Sequence, residues 1–189
     1  MKYLVKFIFA LLLISSLVFL HFIIIYLLPT PFSFLNIFVV ATFLLFLIFE
    51  SGFVIWIIIF SLFIIEHYNP TATFGILMFS GSFSTLISFW LYRFVFTNRS
   101  WYAGVTLTAI YLFIFRLLYC LISLFLVKIG TISSLNWSGL MIYFLWEFVF
   151  TCTTVGIIFF ILPKLLPKFR TFTSNKNMQM FGLNYYEKR

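Results

Sequence analysis

The run FLNIFVVATFLLFLIFESGFVIWIIIFSLFII, residues 34–65, decides how this chain is built. As one helix it would be roughly 48 Å long, too much for a single crossing of a ~30 Å hydrocarbon core. Glu50-Ser51-Gly52 interrupts it, leaving apolar pieces at 34–49 and 53–65. These would be roughly 24 and 20 Å long, short for full spans. Two short crossings satisfy the pattern, and so does a re-entrant hairpin sheltered by other helices. Either way the chain returns to the side it left.

Working outward, Lys2 and Lys6 precede an apolar run over 7–28, which is longer than a signal-peptide core and lacks a small-residue cleavage pattern after it. It reads as an uncleaved first span, ended by Pro29-Thr30-Pro31 because proline cannot continue a helix there. After the turn Glu66-His67-Tyr68-Asn69-Pro70, further spans are expected over 74–96, 102–127 and 138–162. The expected fold is an all-α polytopic membrane protein of about six transmembrane helices, with helices two and three short. Residues 1–163 form one membrane domain and 164–189 a basic cytoplasmic tail.

Charge supports the even count. With the N-terminus inside, Lys2, Lys6, Arg93, Arg99 and six basic tail residues all fall on the cytoplasmic side, and only Lys128 falls outside. Both termini are therefore expected in the cytoplasm.

Composition agrees. Of the 189 residues, 64% are apolar and 8% charged, whereas soluble domains carry about a quarter charged. The net charge of +8 is concentrated in the tail, where anionic lipid headgroups account for it without a nucleic acid. The thirty phenylalanines read as lipid-compatible bulk rather than a ligand cage. Cys120 and Cys152 lie in apolar stretches as small hydrophobes.

Few polar groups are committed to the bilayer. Arg116 and Glu147 lie at similar depths in the fifth and sixth spans, roughly 16 and 14 Å from the outer side. An unpaired charge there is costly, so an Arg116–Glu147 ion pair is expected, for packing or docking before any proton relay. Ser80, Gly81, Ser84, Thr85 and Ser88 form a stripe of small residues suited to close helix packing. Glu50 reads as a solvated turn, and His21 as an imidazole at the outer interface. The Asn-x-Ser sequons at Asn98 and Asn136 are short enough to occur by chance.

Catalytic patterns are weak. The chain has no Asp, two His, no Gly-rich phosphate loop, no paired-cysteine zinc pattern, no His-Glu-x-x-His helix and no Gly-x-Ser-x-Gly elbow. A non-enzyme without cofactor or metal is the expectation.

Three features over residues 31 to about 121 carry a family resemblance. A proline turn leads into Phe32-Ser33-Phe34-Leu35-Asn36; an apolar run ends in Glu66, followed by Pro70 and Phe74-Gly75; and Phe96-Thr97-Asn98-Arg99-Ser100-Trp101-Tyr102 forms a basic turn. In these the chain resembles the MreD proteins, membrane subunits of the bacterial rod-shape machinery. Where that family usually places Gly shortly before Asp, this chain has Leu62-Phe63-Ile64-Ile65-Glu66. The resemblance implies a non-catalytic scaffold in the bacterial inner membrane. Its partners would be an MreC-like bitopic protein, an MreB-like filament and wall-synthesis enzymes. It assigns partner docking to Glu66, Pro70, Phe74 and Gly75 outside, and to Arg93 and Arg99 inside.

The runner-up is the substrate-binding subunit of an energy-coupling-factor vitamin transporter. The Ala-x-x-x-Ala docking pattern common in such subunits is absent, since Ala10 is followed four residues later by Ile14.

Overall fold

The computed structural model describes residues 2–49, 51–68, 75–95, 101–131 and 136–165, and within them every regular element is helical. Six α-helices follow in order: α1 Lys2–Leu27, α2 Ile37–Phe49, α3 Phe53–Tyr68, α4 Ile76–Phe94, α5 Trp101–Ile129 and α6 Trp137–Leu165. A single 3-10 turn, Phe32–Phe34, separates α1 from α2. The protein is an all-α polytopic membrane protein. Phe7–Leu27, Tyr102–Ile129 and Trp137–Leu162 are long and apolar enough to cross a bilayer, and α2 and α3 are shorter apolar helices.

The interrupted run becomes two helices, of 13 and 16 residues. Burial explains the uniform hydrophobicity of α2. Nine of the 13 residues of α2 are buried, from Phe38 to Leu47, so this helix has no lipid-facing stripe to distinguish. Phe43, Phe46, Ile57 and Ile58 anchor a core that α5 and α6 complete with Leu107, Leu112, Val155 and Phe159. In contrast to α2, helices α1, α5 and α6 expose Phe19, Phe125 and Leu145 on their outer flanks and α3 exposes Trp56 and Phe60, as helices facing lipid do.

Helix ends depart from the expected boundaries for local chemical reasons. Asn36 lies outside α2 rather than inside a span: its Oδ1 accepts the Val39 N–H at 3.3 Å, which makes it the N-cap. Glu66, His67 and Tyr68 belong to α3 rather than to a turn. Asn136 caps α6 by accepting the Gly139 N–H at 3.1 Å and the Ser138 hydroxyl at 2.9 Å, so that sequon serves as a helix start. At the end of α5, Gly130 takes a positive φ of 84°, and the Gly130 and Thr131 N–H groups donate to Val127 and Leu126. That pattern is a Schellman stop.

The small-residue stripe of α4 is fully buried at Ser80, Ser84, Thr85 and Ser88. A Cβ on Gly81 would stand 2.5 Å from Leu62 Cδ1, so α3 and α4 meet at that residue. On the other flank the Tyr111 hydroxyl of α5 lies 3.3 Å from Thr85 Oγ1. Ser80, Ser84 and Thr85 satisfy their hydroxyls by back-bonding within the helix, as Ser84 does to the Ser80 carbonyl at 2.7 Å, whereas Ser88 Oγ is buried without a hydrogen-bond partner.

Candidate functional site

The polar centre of the bundle is built on Glu147, which is 1% exposed. Arg116 of α5 donates to its Oε2 through Nε at 2.6 Å and through Nη2. Asn36 donates to its Oε1 through Nδ2 at 2.7 Å. Both carboxylate oxygens are therefore engaged, one by a charged fork and one by an amide. The Asn36 backbone N–H donates to Thr151 Oγ1 at 3.1 Å, a second bond between the α2 cap and α6.

Aromatic rings enclose the guanidinium. Its Cζ lies 4.9 Å from the Tyr143 ring centroid, 5.3 Å from Phe115 and 5.7 Å from Tyr119. These faces stabilise a cation where water cannot. Arg116, Glu147 and Asn36 thus join the segments that begin α2 with the middles of α5 and α6.

Beside this network lies a cavity of about 270 Å³. Arg116, Glu147, Asn36 and Tyr143 form its polar side, and His21 faces it from α1. The sequence reads His21 as a satisfied imidazole; its Nδ1 is buried without a hydrogen-bond partner, and its ring packs 4.8 Å from Phe38. On the far side of Arg116 and Tyr119, a second hollow of about 290 Å³ between α5 and α6 is lined by Phe113, Leu117, Cys120 and Met141.

Glu66 is 2% exposed, with its carboxylate turned inward. It accepts the Leu77 N–H at 2.8 Å and the Met78 N–H at 3.0 Å. Those are the second and third residues of α4, whose cap position is Gly75 with φ 102°. Glycine provides the left-handed backbone but no capping oxygen, and Glu66 provides the oxygen from α3. Its charge also suits the positive end of the helix dipole.

Arg93 is exposed in the last turn of α4, its Cζ 5.9 Å from the Phe94 ring centroid. Pro70, Phe74 and Arg99, together with Glu50 and the tail from 166 on, lie outside the described residues, and the first two positions expected in the tail, 164 and 165, belong to α6. Cys120 and Cys152 are free thiols. Among the described residues no group of three His, Cys, Asp or Glu is placed to hold a metal ion.

The structure therefore gathers Arg116 and Glu147 in one place, the serine stripe in a second and Glu66 with Gly75 in a third. Asn36 and Thr151 escaped sequence reasoning as site residues because uncharged polar groups cost too little in a span to demand partners. The signal available for Asn36 was its position just after a proline turn and before an apolar run, an N-cap pattern. No family model, curated protein or solved structure matches the chain.

Proposed function

We propose that the protein is a non-catalytic scaffold subunit of the bacterial cell-wall elongation complex, an MreD-like platform in the cytoplasmic membrane. The observation that carries this reading is the use made of the buried carboxylates. Glu147 ties Asn36 to Arg116, and Glu66 ties α3 to the start of α4. Both serve to hold helices in register, which is what a docking platform requires of its few polar groups. The expected partners are an MreC-like bitopic protein outside and wall-synthesis enzymes within the membrane. An MreB-like filament would meet the basic inner turn near Arg93 and Arg99.

Affinity purification from native membranes in mild detergent, followed by mass spectrometry, tests the proposal. An MreC-like coiled-coil protein or a wall-synthesis transpeptidase is the expected companion. Paired ATPases with a second membrane subunit would overturn the reading in favour of a transporter component.

A further inference from the structure

The hollow between α5 and α6 opens on the lipid-facing side of the bundle. Phe113, Leu117 and Leu124 of α5 and Trp137 and Met141 of α6 line it, and all five are exposed. Its charged group, Arg116, is turned to Glu147, so the space of about 290 Å³ offers an occupant hydrocarbon walls and no free counter-charge. Apolar hollows of this kind do not hold water, and in a bilayer a hydrocarbon chain is what fills one. Along α5 the lining runs from Phe113 to Leu124, roughly 16 Å, which is about the depth of one leaflet of a ~30 Å core.

We infer that this hollow is a binding site for one anionic phospholipid, with an acyl chain lying between α5 and α6 and the phosphate at Lys128. Charge selects the headgroup. Lys128 stands one turn beyond Leu124 on the same face of α5, in its last turn, and is exposed. Both carboxylates among the described residues are committed elsewhere, Glu66 to the α4 amides and Glu147 to Arg116 and Asn36. Lys128 therefore has no acidic partner among the described residues, and a lipid phosphate supplies one. The start of α6, at Trp137 in the wall of the hollow, adds the positive end of a helix dipole, and tryptophan itself favours the level of the headgroups. By the charge count Lys128 is the single basic residue expected outside, so the lipids gathered by the tail are not the ones it meets. The site is independent of the scaffold reading: recovering no wall-synthesis partner would leave it intact, and a hollow without lipid preference would leave the scaffold intact.

Quenching of Trp137 fluorescence by brominated acyl chains tests the inference at the site itself. The full chain carrying Trp56→Phe, Trp90→Phe, Trp101→Phe and Trp146→Phe keeps Trp137 as its one tryptophan. It would be reconstituted into mixed bilayers of phosphatidylglycerol and phosphatidylcholine, with bromine on one lipid or the other. Phosphatidylglycerol is expected to hold the contact about fivefold more favourably, the size of one lysine near an anionic headgroup. Lys128→Gln should bring the two lipids to equality and Lys128→Arg should keep the preference, with circular dichroism checking the helix content of each variant. Trp146, exposed on the same helix but outside the hollow, should report no preference when it is the one tryptophan retained. The inference is overturned if Trp137 shows no preference, if Trp146 shows the same one, or if the preference survives Lys128→Gln. It is overturned too if neither lipid quenches Trp137, since a second copy or a partner helix then covers the hollow.

Discussion

A buried carboxylate is worth little as an isolated contact and much as a member of a closed set, and Glu147 is in such a set. Removing Arg116 alone leaves a desolvated charge behind, so Arg116→Gln should cost about 3–5 kcal/mol, as should Glu147→Ala in leaving the guanidinium unpaired. The double variant Arg116→Gln/Glu147→Gln removes both buried charges together and should recover most of that loss. Thermal unfolding in detergent, monitored by intrinsic fluorescence, checks the cycle; strictly additive losses would mean the two residues act separately. Asn36→Ala loses both the cap on α2 and a bond to Glu147, and about 1–3 kcal/mol is expected by the same measurement. Arg116 and Glu147 stand out in the sequence because ionised side chains inside a span are rare and expensive.

Between elements, the informative contacts are those where one helix completes another. Because α4 begins on Gly75, its first amides depend on Glu66 across the α3–α4 junction. Glu66→Ala should therefore cost about 1–2 kcal/mol and speed hydrogen exchange at the Leu77 and Met78 amides, with the α5 amides unchanged. Uniform acceleration along the whole chain would count against a local cap. Gly81 makes the complementary case by close approach. A methyl group there meets the end of Leu62, a side chain 3% exposed with little room to turn, so Gly81→Ala should destabilise by about 1–3 kcal/mol. Trimming the obstacle in Gly81→Ala/Leu62→Val should return part of it, as thermal unfolding can show. The stripe from Ser80 to Ser88 was legible as a packing face by its four-residue period. Its neighbours were not, because the period of one helix carries no information about which partner covers it. The caps were half legible: Asn36 and Asn136 precede apolar runs, but Glu66 acts on an amide 11 residues further along and leaves no local pattern.

At the scale of the molecule, helix number follows from hydropathy, whereas sidedness follows from where basic residues cannot go. Three helices are long and apolar enough to cross a bilayer, and α2 and α3 are too short to be counted by length. Their breaks must therefore be read from charge. Translocating Lys and Arg costs energy, so the side holding ten of the twelve basic residues is the cytoplasmic one if the short helices return the chain each time. Residues exposed at the helix ends convert this into a measurement. In a background with Cys120 and Cys152 replaced by Ala, single cysteines at Ser51, Val95 and Thr131 would be treated with a membrane-impermeant maleimide on intact cells. Thr131→Cys is expected to react at once, and Ser51→Cys and Val95→Cys only after the membrane is opened. A reactive Ser51→Cys on intact cells would place the α2–α3 break outside. The basic turn after α4 could then meet no cytoplasmic filament by this route, and the docking side of the scaffold would have to be reversed.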